Sequence, residues 1–190
     1  MAASLSNLGS VFNSQGKYEQ ARQYHELALA IQKQVFGEQH PTVATSLNNL
    51  GNVFNSQGKY EQARQYYELA LAIEKQVFGE QHPNVAASLN NLGALFLKQN
   101  KYAPARPYLE QSLKISEQNL GYKHPRLVVI LSNLAQVMVY LRQFTQARTC
   151  VTRALAICEE TTEEYEECMK MRQLLKMLPG PIGRKGKKKK

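Results

Sequence analysis

Apolar residues recur along the chain at the spacing of amphipathic helices, in paired segments. Val43, Leu47, Leu50 and Phe54 are four, three and four residues apart. Within Ala63–Val77 the apolar positions continue at intervals of three and four. Each spacing places its residues on one face of an α-helix. The pattern therefore predicts two consecutive helices.

The segment between these helices has the composition of a tight turn. It reads "QGKY" at Gln57–Tyr60, and Gly58 suits the left-handed conformation that commonly ends a helix. No stretch of the chain alternates apolar and polar residues as a half-buried strand does. The sequence therefore predicts an all-α protein.

The paired helices belong to a repeat of 42 residues. Ser4–Thr45 and Ser46–Ala87 differ at only six positions, which are 6/48, 10/52, 25/67, 32/74, 42/84 and 45/87. A third unit, Ser88–Val129, keeps the apolar positions, and a fourth diverges from Ile130. A period of 20–50 residues indicates stacked modules that bury their apolar faces against one another.

The motif "VFGEQHP" marks the joints between repeats, ending at Pro41 and Pro83, with a looser copy ending at Pro125. Its glycine is expected to end the second helix, and its proline is expected to begin the next one. His40, His82 and His124 recur with the motif. Because packed helix axes lie roughly 8–10 Å apart, we do not expect them to converge on one metal ion. No metal site and no cofactor is predicted.

Eight residues of the second repeat carry a family resemblance: Leu50, Gly51, Phe54, Gly58, Tyr60, Ala63, Tyr67 and Ala70. This spacing resembles the tetratricopeptide repeat, in the longer subtype of kinesin light chains and nephrocystin-3-like proteins. The resemblance implies a right-handed α-α superhelix, a solenoid of four helical hairpins closed by a C-terminal capping helix. Proteins of this kind hold a peptide or partner protein in a concave groove.

The domain organisation follows from the repeat and its end. We expect an array over 1–178, with repeats at about 1–45, 46–87, 88–129 and 130–160, a capping helix at 161–178, and a flexible basic tail at 179–190. The sequence begins inside a first helix without a preceding cap. Three explanations stay open: a longer array, packing on a partner or second copy, or fraying of a terminal helix.

The third and fourth repeats depart from the pattern. Asn100 replaces the turn glycine of the third repeat, and Pro104 with Pro107 is expected to delay or bend its second helix. In the fourth repeat Ala135 and Arg142 replace both glycines.

Composition narrows the classes of function. The net charge is +9, but the last seven residues hold six positive charges, and the remainder carries 18 basic and 15 acidic residues. No secretion signal or membrane-length apolar run is present. Three cysteines without paired spacing suggest reduced thiols in a cytoplasmic protein, with the nucleus as the alternative address.

No arrangement of residues in the sequence indicates catalysis. Cys150 and Cys158 are eight residues apart on one predicted helix, which favours core thiols over a nucleophile. His25 stands where the second repeat has Tyr67, so a partly buried packing role is expected. The sequence predicts that the protein is not an enzyme, and no small-molecule substrate is expected.

The candidate binding site is the groove that the resemblance implies, lined by the first helix of each hairpin. Its predicted residues are Ser6, Ser10 and Asn13 in the first repeat, Asn48, Asn52 and Asn55 in the second, Asn90, Leu97 and Lys98 in the third, and Gln136 and Tyr140 in the fourth; Ser132 and Val139 also occupy equivalent positions. Asparagine is a poor helix former, so its recurrence requires a reason. Its amide donates and accepts hydrogen bonds, and a ladder of amides can hold an extended peptide backbone.

A structural reading of the asparagines stays open beside the functional one. Asn7, Asn49, Asn91 and Asn133 could tie neighbouring helices together instead. The same alternative is open for Asn48, Asn52 and Asn55. Lys98 is the only cation among the groove positions, which argues against a ligand recognised by its terminal carboxylate. Leu97, Val139 and Tyr140 are expected to form an apolar pocket for a ligand side chain.

The basic tail offers a second hypothesis of a different class. Its cations are Arg184, Lys185, Lys187, Lys188, Lys189 and Lys190. They could make the primary contact with nucleic acid or an anionic membrane while the array assembles copies. A tail that only adds solubility is the plain alternative. No aromatic residue is present there to stack on bases.

Overall fold

The computed structural model describes residues 1–161 and 166–179, and its regular structure is helical. The helices in these ranges are α1 Ala2–Ser14, α2 Tyr18–Phe36, α3 Pro41–Ser56, α4 Tyr60–Phe78, α5 Pro83–Lys98, α6 Tyr102–Leu120, α7 Leu127–Tyr140, α8 Phe144–Thr161 and α9 Glu166–Met177. No strand occurs in the same ranges, so the all-α prediction is confirmed. The two apolar stripes of the second repeat lie on α3 and α4, as predicted.

The helices form two compact units, Met1–Asn119 and a second unit that begins at Leu120. In the first unit α1 packs on α2 and α3 on α4, while α2 and α4 each also cover the first helix of the next hairpin. One core cluster joins Phe54 of α3, Ala63 and Tyr67 of α4, and Leu92 and Leu95 of α5. A hairpin therefore completes its apolar core only with its neighbours, as stacked repeats do.

Close approach of paired helices explains the glycines inside the first helices. A Cβ built on Gly51 would lie 2.5 Å from Cε1 of Tyr67, and one on Gly9 would lie 2.7 Å from Nε2 of His25. Gly93 has the same relation to a leucine of α6. These distances are shorter than carbon atoms tolerate, so the facing side chain occupies the space that a Cβ would need.

The joint between the second and third repeats has the predicted geometry. Gly79 follows α4 with φ of 82°, and Pro83 is the first residue of α5. His82 has a role that the sequence did not reveal. Its Nδ1 accepts a hydrogen bond from the backbone N–H of Asn84 at 3.1 Å, and its ring stacks on Phe78 with centroids 4.1 Å apart. The motif histidine therefore caps the following helix while it packs on the preceding one. The other two joints have the same backbone bond.

The turn within each hairpin keeps its conformation where glycine is lost. Gly58 has φ of 74°, and Asn100 and Arg142 at the equivalent positions both have φ of 59°. Asparagine tolerates this left-handed region, whereas for a long side chain the conformation costs about 1–2 kcal/mol. The fourth repeat therefore holds a strained arginine.

Of the predicted delay or bend of α6 by its two prolines, the delay is wrong. The helix begins at Tyr102, the equivalent of Tyr60 in α4. Pro104 falls in its first turn, where the missing N–H has no intrahelical partner to lose. Pro107 lies inside the helix, which continues to Leu120.

In the second unit α9 packs on α8, and the cysteine prediction is wrong there. Cys158 of α8 and Cys168 of α9 form a disulfide bond, and both are buried. At the other end of α9, Arg148 donates hydrogen bonds to the carbonyl oxygens of Leu178 and Pro179 at 3.0 and 2.7 Å. The spacing of the cysteines in the sequence did not indicate the disulfide, because its two sulfurs lie on different helices. Cys150 is half-buried on α8.

Candidate functional site

The predicted groove residues of the first unit lie at different depths. Ser10, Asn52 and Lys98 are exposed. Partly buried positions are Ser6, Asn13, Asn48, Asn55, Asn90 and Leu97. The first set can meet a ligand directly, whereas the second set also contributes to packing.

Asn48 takes part in a network inside the protein. Its Nδ2 donates to Oε1 of Glu74 at 3.1 Å and to Oγ of Ser88 at 2.9 Å. Glu74 is buried and is also hydrogen-bonded by Ser88. The buried Oδ1 of Asn48 has no hydrogen-bond partner among the described residues. Asn48 therefore connects α3 to α4 and α5, which favours the structural reading at this position.

Asn52 is exposed, and a buried tyrosine holds its side-chain amide in place. The hydroxyl of Tyr67 donates to Oδ1 of Asn52 at 2.7 Å, and Tyr67 itself is buried. Burial raises the pKa of Tyr67 to about 12, so the phenol stays a donor at neutral pH. This bond uses the amide oxygen and leaves the NH₂ group of Asn52 as a donor at the surface.

Asn49 ties two helices together, as the structural reading of the recurrent asparagines expects. Nδ2 of Asn49 donates to Oγ of Ser6 at 3.1 Å, which links α3 to α1. Asn13 and Asn55, one repeat apart, each have a buried Oδ1 without a partner in the described part of the chain. Unpartnered buried acceptors are costly, and the two sites repeat along the same face.

His25 does not act as a surface base. It is 1% exposed, deeper than expected, and burial lowers its pKa. Its Nδ1 finds no hydrogen-bond partner within the described ranges. The neutral ring fills the space over Gly9 that Tyr67 fills over Gly51.

The predicted groove residues of the second unit all lie on α7. Ser132 is buried, contrary to its expected groove position, because it faces the packed side of α7. Tyr140 is 59% exposed, and Val139 is partly buried. Gln136 lines a cavity of about 240 Å³ with residues of α9, among them Met171 and Leu174. This cavity is largely apolar in its lining.

Two paired differences between the repeats could have revealed the internal contacts. Repeat one has Ser10 with His25, where repeat two has Asn52 with Tyr67, and the latter two are hydrogen-bonded. Positions 6/48 and 32/74 also differ together. In the second repeat they are Asn48 and Glu74, which are hydrogen-bonded. Four of the six differences therefore fall on contacting pairs. The roles of Tyr67 and Glu74 escape any reading that takes each position alone.

The cations of the basic tail lie outside the described residues, as does the start of the expected capping helix at 162–165. Within 1–161 and 166–179, three or more metal-ligating side chains do not cluster. A search of the same ranges finds no helix with the length and apolar character to cross a membrane.

Comparison with known families matches almost the whole described chain. The family model described as tetratricopeptide repeat matches residues 1–76, 43–118 and 105–160. No curated protein matches the chain.

Solved structures share the fold. BtubC (BKLC) from P. vanneervenii is 32% identical with a TM-score of 0.76, and the match covers 86% of this chain but only 65% of that one. A Podosopora anserina structure, described as kinesin light chain nearly identical TPR-like repeats, is 22% identical with a TM-score of 0.77, covering 91% and 82%. Aspartyl phosphate phosphatase F from Bacillus subtilis is 16% identical with a TM-score of 0.81, covering 91% and 44%. The last two likenesses concern the fold alone.

Proposed function

The chain belongs to the tetratricopeptide repeat family, and we propose that it is a non-enzymatic adaptor that holds an extended peptide segment of a partner protein. Repeats of this family generally mediate protein–protein interaction. The proposed site is the face of α1, α3 and α5 that carries Ser10, Asn52 and Lys98.

The observation that carries the proposal is the fixed amide of Asn52. A mid-helix asparagine is unfavourable for the helix itself, yet here a buried tyrosine orients it from below at 2.7 Å. An oriented donor loses less conformational freedom when it binds a ligand carbonyl, which is the general benefit of preorganisation. A backbone carbonyl fits this donor, because every residue of an extended peptide has one.

The electrostatics of the face favour a ligand without a strong charge. Lys98 is the cation among the predicted groove residues of this unit, and the other polar positions are serine and asparagine. Recognition of an acidic tail by bidentate or clustered cations is therefore not supported. We propose that backbone hydrogen bonds provide most of the polar contacts.

The test removes the NH₂ group of Asn52 but keeps an oxygen that can accept the hydrogen bond from Tyr67. Asn52→Asp keeps an acceptor for the Tyr67 hydroxyl and removes the donor. Peptides selected from a random phage-displayed library against the wild-type protein should bind this variant at least tenfold more weakly, the effect expected of losing a hydrogen bond worth about 1.4 kcal/mol.

A matched control exists in the same unit. Asn100 also accepts a hydrogen bond from a tyrosine hydroxyl, that of Tyr102 at 2.8 Å, but it lies in the turn before α6. Asn100→Asp adds the same charge outside the proposed site and should leave peptide binding within twofold of wild type. Equal weakening by both substitutions would mean that charge alone acts, and unchanged binding by Asn52→Asp would reject the site.

A further inference from the structure

The docking of α9 in the second unit involves few buried side chains. Of its 12 residues only Cys168 and Met171 are buried, and Leu178 is buried directly after the helix. By contrast, nine of the 14 residues of α7 are buried. A helix as short as α9 is marginal by itself in water, so its place depends on its attachments to the rest of the unit.

The disulfide of α9 occupies the repeat position through which earlier second helices bond to the next first helix. Cys158 is equivalent to Gln32 and Glu74 in the 42-residue repeat. Gln32 accepts a hydrogen bond from a serine of α3 at 2.6 Å, and Glu74 is hydrogen-bonded by a serine of α5. In the fourth repeat this position carries the covalent bond from Cys158 to Cys168 of α9. The connection therefore changes from a hydrogen bond to a bond that a thiol can break.

A second change in the fourth repeat gives Arg148 to α9. Its equivalent in the second repeat, Arg64, pairs with two glutamates of its own helix, three residues before it and four after it. In the fourth repeat threonine stands at both of those positions. Arg148 instead donates hydrogen bonds to the carbonyl oxygens of Leu178 and Pro179, just after α9. The helix is therefore attached to α8 at both ends, by the disulfide near its start and by this arginine after its end.

The contact between α9 and α7 is less complete. A cavity of about 420 Å³ lies between Val128 and Val129 near the start of α7 and Glu166 and Glu167 at the start of α9. Another, of about 240 Å³, lies between Gln136 of α7 and side chains of α9. Side chains that line a cavity lose the dispersion contacts that a packed interface provides. The two attachments to α8 therefore supply most of what holds α9 in place.

We propose that the Cys158–Cys168 bond is a redox switch that controls the docking of α9. With the bond intact, α9 is docked on α7 and α8. After reduction of the bond by a small thiol of the glutathione class, α9 separates from both helices and exposes apolar surface of α7. The proposal concerns the second unit alone and does not depend on the proposed peptide face of the first unit.

The switch operates by two thiol–disulfide exchange steps. A glutathione thiolate attacks one sulfur of the bond, which forms a mixed disulfide and releases the other cysteine. A second glutathione thiolate then breaks the mixed disulfide. The products are two cysteine thiols and one oxidised glutathione, so the two electrons and two protons come from the two glutathione thiols. Because Cys158 and Cys168 are 5% and 1% exposed, the thiolate reaches them only when α9 opens transiently.

The first experiment measures amide hydrogen exchange of the full chain by mass spectrometry, before and after reduction with dithiothreitol. Amides of Glu166–Met177 should exchange at least tenfold faster after reduction, while those of α3 and α4 stay within twofold. Reoxidation with oxidised glutathione should restore slow exchange. Cys150→Ser keeps both bonded cysteines and should respond as wild type. Cys168→Ser should show fast exchange in α9 with or without the reductant.

The second experiment tests whether Arg148 restrains the opening of α9. Arg148→Met keeps an aliphatic side chain and removes the donors to the two carbonyl oxygens. The rate at which reduced glutathione breaks the disulfide, followed by alkylation of the released thiols, should rise at least fivefold. Arg64→Met is the matched control, because it removes the equivalent arginine from the first unit, and it should leave the rate within twofold. Circular dichroism checks that both variants keep their helicity.

Four results would overturn the proposal. Three free thiols in the air-oxidised protein would mean that the bond does not form. Unchanged exchange in α9 after complete reduction would show that noncovalent contacts hold the helix. An equal increase throughout α7 and α8 would make the disulfide a support of the whole unit and not a switch. Equal reduction rates for Arg148→Met and Arg64→Met would show that opening of α9 does not limit the access of thiols.

Discussion

Glu74 is the residue whose replacement should stabilise the protein most clearly. It is 4% exposed within the first unit, and burial raises the pKa of its carboxyl group, opposed by hydrogen bonds from Ser88 and Asn48. No lysine or arginine in the described ranges pairs with it, and its Oε2 has no hydrogen-bond partner there. The first repeat has Gln32 at the equivalent position, where Ser46 donates to its Oε1. The first repeat therefore already accommodates a glutamine at the position equivalent to Glu74.

The magnitude follows from the buried charge. Leaving a buried polar atom unsatisfied costs about 1–3 kcal/mol, and more when it is charged. Glu74→Gln removes the charge but leaves an amide atom in the place of Oε2, so only the extra cost of the charge is recovered, and the free energy of unfolding should rise by about 1 kcal/mol at pH 7. For a chain of this size, 1 kcal/mol corresponds to roughly 2–4 °C in Tm.

The pH dependence gives the sharper test. A carboxyl group with a raised folded pKa favours the folded state below the unfolded value of 4.5, and this contribution is lost as the pH rises through the folded pKa. Urea unfolding of wild type and Glu74→Gln at pH 7 and pH 4 should show a large difference at pH 7 and a small one at pH 4.

The reciprocal variant is the control. Gln32→Glu places a carboxyl group in the first repeat and should destabilise at pH 7 and less at pH 4. A Glu74→Gln protein that is less stable than wild type at pH 7, or equally improved at both pH values, would refute the electrostatic reasoning. In that case the carboxylate would be held by interactions that the structure does not contain.

Single features of the structure carry four further predictions. Arg142→Gly should raise the free energy of unfolding by about 1 kcal/mol in urea titration, because its φ of 59° suits glycine; no gain would mean that its side chain compensates for the strain. Gly51→Ala should lower it by about 1–3 kcal/mol, since the new Cβ would lie 2.5 Å from the facing tyrosine ring; a neutral result would show that the ring can move. Reduction of Cys158–Cys168 by dithiothreitol should destabilise the wild type by about 2–3 kcal/mol and leave Cys158→Ser unaffected, and equal responses would argue against the bond. Deletion of Arg184–Lys190 should weaken retention on a heparin column if the tail binds polyanions, and unchanged retention would remove that hypothesis.

Local pattern was sufficient for the helices of the second repeat and their boundaries. Helix periodicity in the second repeat predicted α3 and α4, and the joint glycine and proline predicted where they end and begin. These features depend on residues close in sequence, because backbone hydrogen bonds and dihedral preferences of a helix act over about four residues or fewer. The predicted delay of α6 was wrong for an equally local reason, because Pro104 lies within the first turn of the helix.

Long-range contacts decided which side chains remain open to a ligand. Asn48 and Asn52 look alike in the sequence, yet Asn48 bonds to a residue 26 positions away, whereas Asn52 is held by a residue 15 positions away and stays exposed. Only the packing of neighbouring helices brings these partners together.

By itself, then, the amino-acid sequence determined the all-α class, the repeat family and the joints. Each of these follows from spacing within about one turn of helix or from a period that recurs along the chain. Tertiary structure alone decided the Asn48–Glu74 network, the Cys158–Cys168 bond and the burial of Leu50 and Val53 on α3, whose equivalents Leu8 and Val11 on α1 are exposed. The physical reason is that burial depends on which helix lies over a surface. Closely similar stripes on α1 and α3 therefore have opposite environments.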